Sequence, residues 1–471
     1  MSAELGRMSA VEMRQRIVKK ELSPVEITKR ALEAAESTQK TLNAFSSLMP
    51  EAALAAARQA EDSVMKGEKL GPLHGVPFSV KDLIAVKDVI YASGSKTMAK
   101  NVAAVNAPSV ERAKAAGGIL IGKTTTSEFG CKPVGDNLLT GITRNPWNLN
   151  KTPGGSSAGA AASVAAGITP FALGTDGGGS IRVPCSFSGL FGIKGHFGRV
   201  PVWPTSATPT LAHVGPIARE VQDGALLFSV IAGYDARDPF GVAGEVPDVQ
   251  GATQASVQGL RVAFSPTFGY AKPDKAVAEV VKKAVARLES LGCVVEEVDK
   301  VFEKDPVDIW TAEFYAGVGI RLRPFVEKQR DLLDPAVAEV LEAALSQDMK
   351  TYYEKVFERY AFREQMRLFF EKYDVLVSPV LPVSSLDVGL NIPKHLTDRN
   401  FVSWIYYTYP FNLTGQPAGT VCAGLDSENM PVGLQIVGRA MGEYDVVRLA
   451  AAYERSQARG YNHSPIMKKG S

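Results

Sequence analysis

Between Thr152 and Gly198 the chain places 12 of its 43 glycines in 47 residues. The first half of that stretch, Thr152 to Thr175, carries no charge and consists mostly of glycine, alanine and serine. Side chains this small let backbones approach closely, and glycine adopts turn conformations that other residues avoid. With Pro153 and Pro170 inside it and little leucine, isoleucine or phenylalanine, the run is unsuited to crossing a membrane. It predicts a tightly packed interior segment around which the rest of the chain must fold.

The flanking sequence reads as alternating strands and helices. Residues 8–67 read as helical, with Ser23-Pro24 supplying an N-cap and a first-turn proline. Val76 to Val80 reads as a short buried strand ending at Lys81-Asp82. A helix from Ser109 to Ala116 and a strand from Ile119 to Ile121 follow. Ser156 to Ala166 reads as a helix and Phe171 to Leu173 as a strand. Beyond residue 259 come a strand (Leu260 to Phe264), a helix (Val277 to Leu291) and a strand (Val294 to Val298). This pattern predicts an α/β protein with a largely parallel sheet. Residues 235–259 and 384–400 read as long surface loops.

Composition narrows the function. The 471 residues include 52 basic and 50 acidic ones, a net charge of +2 that disfavours nucleic acid as the main partner. Cys131, Cys185, Cys293 and Cys422 lie far apart, and the five histidines share no ligand spacing. Neither a disulfide framework, a metal site nor a cofactor is expected. The first 22 residues are charged and lack the apolar core of a secretion signal, which predicts a cytoplasmic protein with no membrane partner.

Three short motifs invite readings that their context rejects. Gly117 to Thr124, GGILIGKT, fits the P-loop pattern, but its Ile119-Leu120-Ile121 interior reads as a strand rather than a phosphate-binding loop. Gly155-Ser156-Ser157-Ala158-Gly159 fits a nucleophile elbow with Ser157 at its tip, yet polar, proline-broken residues precede it. Ser93 to Lys96 fits S-x-x-K, with a glycine that weakens the helical turn this motif needs.

A fourth pattern survives. Gly174-Thr175-Asp176-Gly177-Gly178-Gly179-Ser180-Ile181-Arg182 follows a strand and precedes a helix. Consecutive glycines can turn backbone N–H groups inward as an anion-binding nest. A serine at the end of such a nest can attack a carbonyl while the nest holds the oxyanion. The same residues could instead form a tight turn with Ser180 as a helix cap.

Three blocks resemble the amidase signature family: GVPFSVKDL (75–83), TPGGSSAGAAASVAAG (152–167) and ALGTDGGGSIRVPCSFSGLFGIKG (172–195). The separation of Ser156 and Ser180 matches the family pattern, and MPVGLQIVG (430–438) is among the supporting segments. The resemblance implies one α/β domain over residues 1–471, its central twisted sheet mixed, mostly parallel and covered by helices: a helical region over 1–70, a signature core over 71–220, and a later segment, 302–411, that shapes the substrate pocket. It implies a Ser–cis-Ser–Lys triad on Ser180, Ser156 and Lys81, with a cis peptide between Gly155 and Ser156. Ser180 would be the acylated nucleophile, Ser156 the proton relay and Lys81 the base. Gly177, Gly178, Gly179 and Ser180 would supply oxyanion N–H groups beside Thr175, with Ser157, Asp176 and Arg182 in support.

Lys81 must be neutral to act as a base, and burial behind an apolar strand would favour that; an ion pair with Asp82 would oppose it. The chain departs from the family at Ala158-Gly159-Ala160, at Gly195-His196-Phe197 and at Cys185, which bears on loop shape and substrate fit. Residues 302–411 hold 19 of the 38 aromatic residues, including Trp310, Phe314, Tyr352, Trp404 and Tyr409. That bias suggests a pocket for an aryl or hydrophobic amide, although core packing accounts for many of these side chains. The implied partner is a small-molecule amide, with a homodimer left open. A glutaminase subunit of an amidotransferase, or a carbamate or ester hydrolase, would use the same triad.

Overall fold

The computed structural model describes residues 2–396, 398–458 and 460–469. Helix boundaries follow caps written in the sequence. The Ser23 hydroxyl accepts from the N–H groups of Val25 and Glu26, and the helix Pro24–Leu42 ends at Asn43 in the left-handed region. Asp334 caps the helix Pro335–Leu345 in the same way, accepting from Ala336 and Val337.

Strands are β1 (Phe45–Leu48), β2 (Pro77–Lys81), β3 (Ile119–Thr124), β4 (Asp136–Asn137), β5 (Gly141–Ile142), β6 (Phe171–Asp176) and β7 (Phe191–Lys194). They continue as β8 (His213–Ala218), β9 (Arg261–Phe264), β10 (Val294–Glu297), β11 (Val375–Pro379), β12 (Ala418–Leu425) and β13 (Pro431–Gly438). Eleven form one sheet in the order β1-β3-β2-β6-β8-β7-β12-β13-β11-β9-β10, while β4 and β5 pair separately. The strand pleat sends alternate side chains to opposite layers. Val262 and Phe264 of β9 and Val375 and Val377 of β11 enter one apolar core, while Ala263 and Leu376 enter the other. The helices Val221–Ile231, Lys275–Ser290 and Glu443–Arg455 contribute to the first core. The helices Val307–Lys328, Pro335–Leu345 and Met349–Lys372 contribute to the second.

The sheet is mixed and helix-covered as expected, but its balance needs correction. β2 runs parallel to β3 and β6, and β9 runs parallel to β10 and β11. The other pairings of this sheet among the described residues are antiparallel, so antiparallel pairs prevail. Strand–helix alternation detects βαβ units, whereas β7 and β8, and β12 and β13, follow one another without an intervening helix. Residues 8–67 are likewise not all helical: β1 interrupts them and pairs with β3 at the sheet edge. Within 235–259, a short helix, Val249–Ala252, breaks the expected loop.

Because β2 and β6 are parallel neighbours, their C-terminal ends emerge side by side. This brings Lys81 next to Thr175, with Asp176 following, at the carboxyl ends of the strands, where open α/β folds commonly place their sites.

Candidate active site

On β2 the pleat directs Ser79 and Lys81 to one face and Asp82 away from it. Ser79 Oγ lies 3.4 Å from Ser163 Oγ on the helix Ala158–Ala165, every residue of which is buried. Lys81 is fully buried on that face. Its Nζ lies 2.6 Å from Ser156 Oγ and donates to Thr175 Oγ1 at 2.9 Å. The peptide between Gly155 and Ser156 is cis. Asp82 pairs instead with the buried Lys123 at 3.0 Å. The alternative of an ion pair between adjacent Lys81 and Asp82 is therefore not the arrangement found.

Burial pushes the Lys81 ammonium well below the ordinary lysine value, and the Asp176 charge opposes this only in part. A neutral Lys81 amine can accept the Ser156 proton while still donating to Thr175.

Ser157 stitches the two segments together. Its N–H donates to Ser180 O at 3.3 Å, its hydroxyl donates to Thr175 O at 3.2 Å, and its Oγ accepts from Thr175 N–H at 3.3 Å. These bonds hold the hydroxyl against β6, which does not suit an elbow nucleophile.

The glycine loop wraps around Asp176. This buried carboxylate accepts from Gly179 N–H at 2.8 Å, Ile181 N–H at 3.2 Å, and Arg182 Nε and Nη2, each at 3.0 Å. Burial alone would raise the Asp176 carboxyl, but the Arg182 guanidinium outweighs it and holds the group below the usual carboxylate range. Arg182 also donates to Thr408 O, Gln435 Oε1 and Asn412 Oδ1. Gly179 therefore commits its N–H inside the loop, a change from the expected oxyanion set. Its φ of 137° explains why glycine stands there. Gly178 is a case of close approach: a Cβ would lie 2.5 Å from the Trp310 ring. Trp310 donates from Nε1 to Gly177 O at 2.9 Å, and Thr408 Oγ1 donates to Gly178 O at 2.6 Å.

A cavity of about 210 Å³ opens over Ser156, Thr175, Gly177 and Ser180. Its walls include Leu83, Tyr91, Met98 and Phe129, residues 201–208, and Phe314, Val318, Arg321 and Leu322 from the helix Val307–Lys328. Among the described residues of 302–411, Phe314 is the aromatic that lines it. Trp404, Tyr406, Tyr407 and Tyr409 lie buried in the core, and Tyr353 stands exposed on the helix Met349–Lys372. Ala158, Ala160, Cys185, His196 and Phe197 do not line this cavity, so these departures from the family pattern lie outside its lining.

Sequence reasoning did not anticipate Thr408, Asn412 and Gln435, which lie more than 200 positions from the loop they hold. It also passed over the wall residues 201–208, where polar and apolar types mix without periodicity. The P-loop-like residues form β3 from Ile119 onward, and their Lys123 serves Asp82. His196 is held down at about 4 by burial and the nearby Lys194 charge, and His213 is lowered by the same causes. No described helix is long and apolar enough to cross a membrane.

The family model described as Amidase matches residues 26–447. An acylamidase of Rhodococcus erythropolis is 36% identical, over 95% of this chain and 95% of that protein. A glutamyl-tRNA(Gln) amidotransferase subunit from Moorella thermoacetica is 34% identical, over 96% of this chain and 97% of that protein. Among solved structures, a bacterial aryl acylamidase of the amidase signature family superposes with a TM-score of 0.91 at 28% identity, covering 98% of both chains. The chain thus belongs to the amidase signature family, hydrolases of carbon–nitrogen bonds other than peptide bonds.

Proposed function

We propose that this protein hydrolyses a carboxylic acid amide with an aryl or hydrophobic group, through an acyl-enzyme on Ser180. The observation that carries the reading is the buried Lys81, whose Nζ lies 2.6 Å from Ser156 Oγ and forms no ion pair with a carboxylate among the described residues. Neutral Lys81 takes the Ser156 proton as Ser156 takes the Ser180 proton, and Ser180 Oγ attacks the amide carbon. The N–H groups of Gly177, Gly178 and Ser180 face the oxygen that becomes negative, where each such donor is worth about 10²–10³-fold in rate. Ser156 then returns the proton to the leaving amine. Water, deprotonated through the same relay, releases the acid.

The apolar cavity walls and the likeness to an acylamidase support an aryl or hydrophobic amide. The likeness to an amidotransferase component keeps a glutaminase as the second reading, with glutamine as its substrate. A fluorophosphonate probe is expected to label wild-type protein and not Ser180→Ala. Label persisting in Ser180→Ala would overturn the nucleophile. A panel of anilides, aliphatic amides, glutamine, carbamates and esters distinguishes the substrate readings, and equal turnover of acetamide and anilides would count against the apolar pocket.

A further inference from the structure

The helix Val307–Lys328 lays Phe314, Val318, Arg321 and Leu322 along the cavity, residues spaced to share one helical face. Three of them are apolar and one is a guanidinium. Among the described lining residues, the other charged side chain is Asp176, which Arg182 already holds in a two-point ion pair. His213, also on the wall, is kept neutral by burial and by Lys194. Arg321 forms no ion pair with a carboxylate among the described residues, whereas Arg323, two positions on, is paired with Glu327 at 2.6 Å. Tyr91 also lines the cavity; burial keeps its phenol protonated, and the Arg321 charge is the smallest of the influences on it. Among the described residues the cavity therefore carries one uncompensated charge, positive and on the exposed Arg321 side chain, while Ser156 is buried and Thr175 half-buried.

We propose that Arg321 makes the cavity selective for amides that bear an anionic group, a carboxylate in the simplest case, at the end remote from the scissile bond. This rests on the proposed hydrolysis at Ser180. A guanidinium offers two parallel N–H donors to a carboxylate, and the surrounding apolar wall would strengthen the pair beyond a fully solvated one. The remainder of the substrate, between the carboxylate and the amide, would be the aryl or aliphatic portion against Phe314, Val318 and Leu322.

Two matched pairs test this on the full chain: succinic acid monoanilide against butyranilide, and N-acetyl-4-aminobenzoate against N-acetyl-4-toluidine. The first pair places the anion on the acyl side and the second on the amine side. At low salt the wild type is expected to favour the anionic member of one pair about 3- to 10-fold in kcat/KM, chiefly through KM. Arg321→Gln should abolish that ratio, Arg321→Lys should restore part of it, and added salt should shrink it in the wild type. No anionic preference in either pair, or a preference that survives Arg321→Gln, overturns the assignment of Arg321 while leaving amide hydrolysis standing. If neither neutral nor anionic amides turn over and Ser180 takes no probe, the reading of the site fails first and this proposal with it.

Discussion

The small-residue segment under the site and the helix Met349–Lys372 on the outside show opposite ways of using a sequence. Every residue of the helix Ala158–Ala165 is buried, and the adjoining glycine loop is held by Trp310, Thr408, Asn412 and Gln435. The outer helix leaves Phe357 68% exposed, with Tyr353 and Tyr360 also open to solvent. Its aromatic content resembles that of a pocket, yet its outer side chains touch nothing that positions a substrate. In the inner segment a Cβ at Gly159, Gly174 or Gly178 would come within 3.0 Å of a neighbour, so residue type there follows from geometry. On the outer helix it does not.

The largest expected effect is at the base of the inner segment. Lys81→Met should lower kcat about 10²–10⁴-fold with little change in fold, measured by steady-state kinetics and circular dichroism. The wild-type pH profile sharpens the point. Because burial depresses the folded lysine, kcat/KM should hold at neutral pH and fall only as acid protonates Lys81; an ordinary lysine would lose activity below about 10.4. The sign for stability is the same. The unfolded chain binds this proton more tightly, so the Lys81 contribution to stability rises with pH between the folded and unfolded values.

Next comes the neighbouring ion pair. Lys123→Met leaves the Asp82 carboxylate buried without its partner and should cost about 3–5 kcal/mol in denaturant unfolding. The double variant with Asp82→Asn should recover much of that. Equal destabilisation by single and double variants would mean that Lys123 contributes packing rather than charge. A smaller effect is expected for Gly178→Ala, whose Cβ would meet the Trp310 ring, at about 1–3 kcal/mol with a drop in kcat as the loop shifts. Phe357→Ser on the outer helix should stay within about 0.5 kcal/mol of wild type and leave kinetics unchanged. A large loss there would erase the contrast between the two regions.

Local signals in the sequence went far toward this picture. β2, β3, β6 and β9 and the helix opened by Ser23-Pro24 stand close to where apolar runs and that N-cap predict them. Motif blocks alone single out Lys81, Ser156 and Ser180, and Lys81, Ser156 and Thr175 meet within hydrogen-bond distance. β1 was hidden because four residues between two helices carry too little pattern to separate from them. The direction of β7, β8, β12 and β13 was hidden because a strand's own residues do not say which way its partner runs.

What the sequence by itself determined was the inventory: small residues where backbones must touch, a lysine ending an apolar strand, two serines at a set spacing. Those are local properties of size and hydrophobicity, and they can be read one window at a time. Tertiary structure alone decided which charges meet. It turned Asp82 away from Lys81 and onto Lys123, and it gave Asp176 to Arg182. It also left Arg321 lining the cavity without a carboxylate partner among the described residues. Electrostatic pairing depends on distances between residues remote in the chain, and those distances exist only once the sheet has closed around them.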